Sequence, residues 1–243
     1  MKRLVSLLAI AALIFSGCGN KQDMVQIPKS EYEALKSGSS NSANNSGSNV
    51  TDKTPVKKTQ EAFNESDVIS KLEVKTFQYV NPVKGAWSFL EVKNNSEFNV
   101  DISANVTFKN VTGELIGAKT GSKTAVEKGS AILLSFRNDE KPSTMDYKLS
   151  VKETGLKCVV SELSKEVTSA KGKAIISVTN NGKEDAEFVQ YDILFFNGDN
   201  LVDHGNGGCT NGDSKLPAGA TISAEESCYE KFDSTKVYLT GLR

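Results

Sequence analysis

The 243-residue chain has one His, one Trp, five Pro and four Cys. One His argues against a multi-His metal site and leaves little equipment for general acid–base work. Charge of one sign is also missing: 29 Lys and Arg stand against 30 Asp and Glu, a net of −1. No basic block breaks that balance, so the concentrated cationic footprint that nucleic acid requires is absent. No apolar run reaches the 20 or so residues that a mature membrane-spanning helix needs. At this length one or two domains can each bury a core.

What is present begins with an address. Met1-Lys2-Arg3 is a positive start, and Leu4 to Phe15 is a 12-residue apolar stretch with the dimensions of a signal-peptide core. The following Phe15-Ser16-Gly17-Cys18 resembles a bacterial lipobox, in which the Cys thiol is lipidated and the chain is cut before it. That resemblance implies removal of residues 1–17 and an anchor at Cys18, and losing Lys2 and Arg3 takes the net charge to −3. Such a chain does not cling to anionic lipid by charge, so attachment rests on the acyl chains, of which two or more hold stably.

Residues 18–66 are expected to form a tether. Within them 37–49, SGSSNSANNSGSN, are all Ser, Asn, Gly or Ala, too polar to offset chain entropy by burial. Ser30-Glu31-Tyr32-Glu33 has capping-box spacing, suited to a short helical turn over 31–36. As a coil, residues 19–65 reach roughly 35–40 Å.

From about Asp67 the texture is all-β. In 101–109, Ile102, Ala104, Val106 and Phe108 alternate with polar residues, the period of a half-buried antiparallel strand. The pattern returns about 86 residues later. Val92-Lys93-Asn94-Asn95-Ser96 matches Val178-Thr179-Asn180-Asn181-Gly182, the alternating set matches Val189, Tyr191, Ile193 and Phe195, and Lys128-Gly129 matches Ala218-Gly219. We read a tandem duplication, 67–153 and 154–243, each an immunoglobulin-like β-sandwich of about seven strands. The repeated motif resembles the FxLYD-type domains of bacterial cell-surface lipoproteins, with Asn110 and Asn197 where that family commonly has Asp. The resemblance implies β-sandwiches on a tether at the outer side of the cell membrane, with no catalysis and no cofactor.

Candidate chemistry is sparse. Gly117–Thr124 lacks the Gly before Lys123 that a phosphate-binding loop requires and reads as an exposed hairpin loop. His204 reads as a solvated loop residue, since no Gly-x-Ser-x-Gly elbow accompanies it. The Asp and Asn at 197–203 and 211–213 do not follow the calcium-loop pattern and read as turns. Cys209 lies in a Gly-rich insertion over 205–213 absent from the first copy, and a bridge to Cys228 would close a loop of about 20 residues, worth roughly 3 kcal/mol; three unbridged thiols is the alternative. Cys158 belongs to an expected first strand, as a small buried hydrophobe.

The strand 188–196 is apolar on both faces, with Phe188, Leu194 and Phe196 where the first copy has Asp101, Thr107 and Lys109. Something must cover that second face: the other copy or a loop, or else a partner docking on it. The functional expectation is a lipid-anchored envelope protein with a non-catalytic binding or scaffolding role and an envelope protein or glycan as partner. The alternatives are an envelope enzyme or its accessory domain, and a small-ligand-binding lipoprotein.

Overall fold

The computed structural model describes residues 62–81 and 85–243. Cys18, the tether and the expected turn at 31–36 lie outside them. The first ordered element is a one-and-a-half-turn helix, α1 (Glu65–Ser70). The Asn64 side chain caps it by accepting from the Asp67 N–H at 3.1 Å, and Phe63 packs edge-on against Phe98. These contacts place 62–66 with the folded body, where the tether was expected to continue.

Six strands follow: β1 (Leu72–Asn81), β2 (Gly85–Asn94), β3 (Val100–Lys109), β4 (Leu115–Val126), β5 (Ala131–Asn138) and β6 (Thr144–Glu153). They form two antiparallel sheets, β1-β2-β5 and β4-β3-β6. After a 3-10 turn at Val160–Glu162 come β7 (Leu163–Ala170), β8 (Lys173–Asn180), β9 (Ala186–Asn197), β10 (Asn200–Gly208), β11 (Lys215–Leu216), β12 (Thr221–Ser227) and β13 (Ser234–Leu242). These give β12-β8-β7 and a second sheet in which β9 pairs with β10, β11 and β13. The fold is all-β, with every pairing antiparallel.

Side-chain parity assigns the layers. On β2 the even residues Leu90 and Val92 meet Ile102, Ala104, Val106 and Phe108 of β3 in one core. On β9 the odd residues Val189, Tyr191, Ile193 and Phe195 meet Ala174, Ile176 and Val178 of β8 in another. The opposite faces are apolar too: Trp87 and Phe89 of β2 and Leu194 and Phe196 of β9 belong to a third cluster, with Tyr79, Leu133 and Tyr238. The four sheets therefore stack in the order β4-β3-β6, β1-β2-β5, β10-β9-β13, β12-β8-β7. In the two central sheets, β2 over Phe89–Val92 and β9 over Tyr191–Phe195 are buried on both faces.

The repeat is visible in hydrogen bonds. Asn94 donates through Nδ2 to the Phe98 and Val126 carbonyls, and its Oδ1 accepts from the Ser96 N–H. Asn180 does the same with Glu184, Leu216 and Gly182. Gly129 and Gly219, both at positive φ, donate to the carbonyls of Asn94 and Asn180 at 2.7 and 2.8 Å. One buried amide thus closes three chain segments in each copy.

Several local expectations are corrected. Residues 117–124 lie within the strand β4, not a hairpin loop; Gly121 belongs there because a Cβ would come 2.9 Å from the Phe136 ring. The Gly-rich stretch 205–208 is the end of β10, where side chains on Gly205 and Gly207 would collide with Glu226 and Tyr191. Cys158 makes an isolated bridge to Leu242 and belongs to no strand.

Candidate functional site

The concentration of polar chemistry lies in the seam between the two central sheets. A bulge between Leu201 and Asp203 shifts the β9–β10 register, so that His204 comes opposite Leu194 and shares its face. His204 is only 7% exposed. Its ring centroid lies 4.3 Å from that of Trp87 and 5.1 Å from that of Phe89, and its Nδ1 is 2.6 Å from the Tyr79 hydroxyl. That hydroxyl also donates to Asp203 Oδ1 at 3.3 Å. Asp203 is fully buried and accepts from the His204 and Tyr229 backbone N–H groups. Burial, reinforced by the Asp203 carboxylate, pushes the Tyr79 phenol well above its ordinary pKa. The sole His is therefore a buried strand residue, and the solvated-loop expectation is wrong; the bulge alone decides which way it faces.

Two ion pairs join the sandwiches beside this cluster, one of them across the seam. Glu91 of β2, 5% exposed, accepts from Lys236 Nζ at 2.6 Å with both oxygens and from the Tyr238 hydroxyl at 2.9 Å. Burial and the Glu91 charge drive the Tyr238 phenol upward in pKa. Asp192 of β9 takes Lys123 of β4 at 2.9 Å. The carboxylates are the buried members of these pairs and the lysines the more exposed, so removing either lysine leaves a buried carboxylate without its counter-charge. Sequence reading passed over these residues, although Glu91 inside Phe89-Leu90-Glu91-Val92 was the available sign, a carboxylate in an otherwise apolar run.

The expected partner surface is mostly this seam. Leu194 is fully buried and Phe196 partly buried, its ring 5.7 Å from Phe77 across the interface. The first sandwich covers them, so neither is available to a docking partner. Phe188 falls outside the seam cluster and is 54% exposed, at φ +48°, where β9 loses register with β13 between Thr240 and Leu242. Cys209 and Cys228 are both buried thiols, not a disulfide. Each has a place of its own: the Cys209 N–H donates to the Val189 carbonyl, and Cys228 Sγ donates to the Glu230 carbonyl at 3.2 Å. Burial raises the Cys209 thiol to about 11.

Among the described residues no group of three or more His, Cys, Asp or Glu could hold a metal, and no helix is long and apolar enough to cross a membrane. The Asn211 side chain caps its own turn by accepting from the Asp213 and Lys215 N–H groups. The arrangement as a whole joins two sandwiches, and the described residues fall in one compact unit.

No family model matches the chain, and no curated protein matches it. Among solved structures, red sea bream transglutaminase aligns with 70% of this chain and 29% of that one, at 14% identity and a TM-score of 0.25. The chain thus spans less than a third of that protein, and so slight a likeness says nothing of fold or activity.

Proposed function

We propose that this chain is a bacterial envelope lipoprotein, anchored at Cys18 on the outer side of the membrane, in which paired sandwiches of FxLYD type act as a non-catalytic binding or scaffolding body. The observation that carries the reading is how the seam employs the chain's distinctive side chains. His204, Asp203 and Glu91 hold one central sheet against the other among aromatic rings, and Asp192 ties β9 to β4 of the first sandwich. Committing the only His to an interface favours a role by shape and placement. The lipobox-like 15–18 and the Ser/Asn-rich 37–49 support the address: an anchor, a spacer, then the body. An envelope protein or a glycan is the partner such a body would meet.

Fractionation of source cells tests the address. The parent is expected in the membrane fraction with residues 1–17 removed, and Cys18→Ala released or uncleaved. Unchanged retention and processing of Cys18→Ala would remove the anchor. Crosslinking of intact cells tests the role: a reproducible envelope partner supports it, and turnover of an envelope substrate by the pure chain would defeat it.

A further inference from the structure

A cleft of about 460 Å³ opens where β5, β7 and β13 converge. Its polar lining includes Lys165, Lys236, Ser130 and Thr235, and its apolar side includes Val160 and Leu163. The two lysines differ. Lys236 is held by both oxygens of Glu91, whose remaining capacity goes to Tyr238. Lys165 donates to the Val237 carbonyl, a single acceptor for an ammonium with three protons. The residue as a whole is exposed, yet its ammonium is tucked far enough in for burial, with the like charge of Lys236, to lower its pKa. Among the described residues no carboxylate forms a salt bridge with Lys165. At the mouth of the cleft Lys165 thus has one protein acceptor, and its neighbouring cation Lys236 is already taken by Glu91. An anionic oxygen group entering the cleft would supply the acceptors Lys165 lacks and a counter-charge for it.

We propose that this cleft binds a small organic anion, its carboxylate or phosphate group paired with Lys165 and within reach of Thr235, its apolar body against Val160 and Leu163. The assignment deepens the binding role proposed above by naming a ligand class. The two can fail separately, since Cys18 fractionation does not involve Lys165 and ligand titration does not involve the anchor.

The test is calorimetric titration of the full chain, purified in detergent, with n-butyl phosphate, n-butyrate and inorganic phosphate. Saturable binding of butyl phosphate or butyrate is expected, with inorganic phosphate weaker for want of the apolar contact; which of the two organic probes binds tighter identifies the head group. Lys165→Met should weaken binding at least about tenfold, the scale of a charged hydrogen bond, and Lys165→Arg should restore most of it. A footprint on the parent protein covers the case of a variant that does not fold. Saturation with whichever organic probe binds tighter should slow acetylation of Lys165 and leave exposed Lys148 unaffected. No binding of either organic probe, binding unchanged in a folded Lys165→Met, or no protection of Lys165 would each overturn the proposal.

Discussion

Replacing Leu194 with Ala separates a seam from a surface. Leu194 is fully buried and belongs to the cluster shared by the two central sheets, facing Tyr79, Phe89, Leu133 and Tyr238. Truncation there leaves a cavity lined by residues of both sandwiches, which cannot collapse without moving one sheet against the other. Buried Leu→Ala changes cost about 3 kcal/mol when the site relaxes only partly. For a folded body of this size each kcal/mol shifts the melting temperature by about 2–4 °C, so a drop of roughly 6–12 °C is expected. The control is Phe188→Gly, on the same strand. That side chain is 54% exposed, and its backbone is at φ +48°, a conformation that costs a residue with a Cβ roughly 1–2 kcal/mol and glycine almost nothing. Loss of half-buried area and relief of strain oppose each other, so this variant should stay within about 1 kcal/mol of the parent. Melting followed by far-ultraviolet circular dichroism and by calorimetry reads both. If Leu194→Ala melted like the parent, the two sheets would not be packed on one another, and the assignment of the apolar strand to an interface would be wrong.

Two further outcomes follow from the buried hydroxyls and thiols. Burial raises the phenols of Tyr79, Tyr191 and Tyr238, with Asp203, Glu226 and Glu91 respectively adding to it. A raised folded-state pKa contributes stability that is complete below the unfolded value near 10 and is lost as pH rises above it. Absorbance titration at 295 nm should show these three ionising only as the protein unfolds in alkali; titration with the fold intact would contradict their burial. The thiols of Cys158 and Cys209 are raised to about 11, in both cases chiefly by burial. At pH 8 their thiolate fraction is about a hundredfold below that of a thiol of pKa 9, so iodoacetamide should label them very slowly in the native chain. After denaturation without reductant, Cys158, Cys209 and Cys228 should all react, and finding only Cys158 would restore the Cys209–Cys228 bridge.

The strands and the repeat were legible because each rests on short-range pattern. Alternation in 101–109 marks β3, and the Asn94 and Asn180 segments look alike because each amide fastens the same three pieces of chain. The second apolar face of β9 was equally plain, and the alternatives for its cover were evident. Sequence could not choose between them, because Phe77 and Tyr79, which meet it, lie more than 100 residues away. His204 was misplaced for a different reason. One extra residue in β10 reverses which side chains face the seam, and nothing in Leu201-Val202-Asp203-His204 announces the bulge. The expected bridge rests on Cys209 in a Gly-rich insertion and Cys228 at the end of the next strand; residues 205–208 of that insertion are the end of β10, where Glu226 and Tyr191 occupy the space that side chains on Gly205 and Gly207 would take, and the two thiols stay apart.

The matching Asn amides also identify which layers correspond, β2 with β8 and β3 with β9. The seam joins the β2 sheet of one copy to the β9 sheet of the other, so like does not meet like. Such a contact is directional, and a directional contact has no intrinsic end: a third copy could add to either outer face, and after it a fibre. The outer faces differ from the seam. At one end Lys109–Asp146 and Asn105–Thr120 pair across strands; at the other, Ser177–Ser223, Thr179–Thr221 and Lys173–Glu225 do so. Each terminal sheet is closed by its own polar rungs, where the corresponding inner sheet carries Leu194 and Phe196 or Trp87 and Phe89. Neither outer face therefore offers a further copy the apolar strip by which the two sandwiches meet.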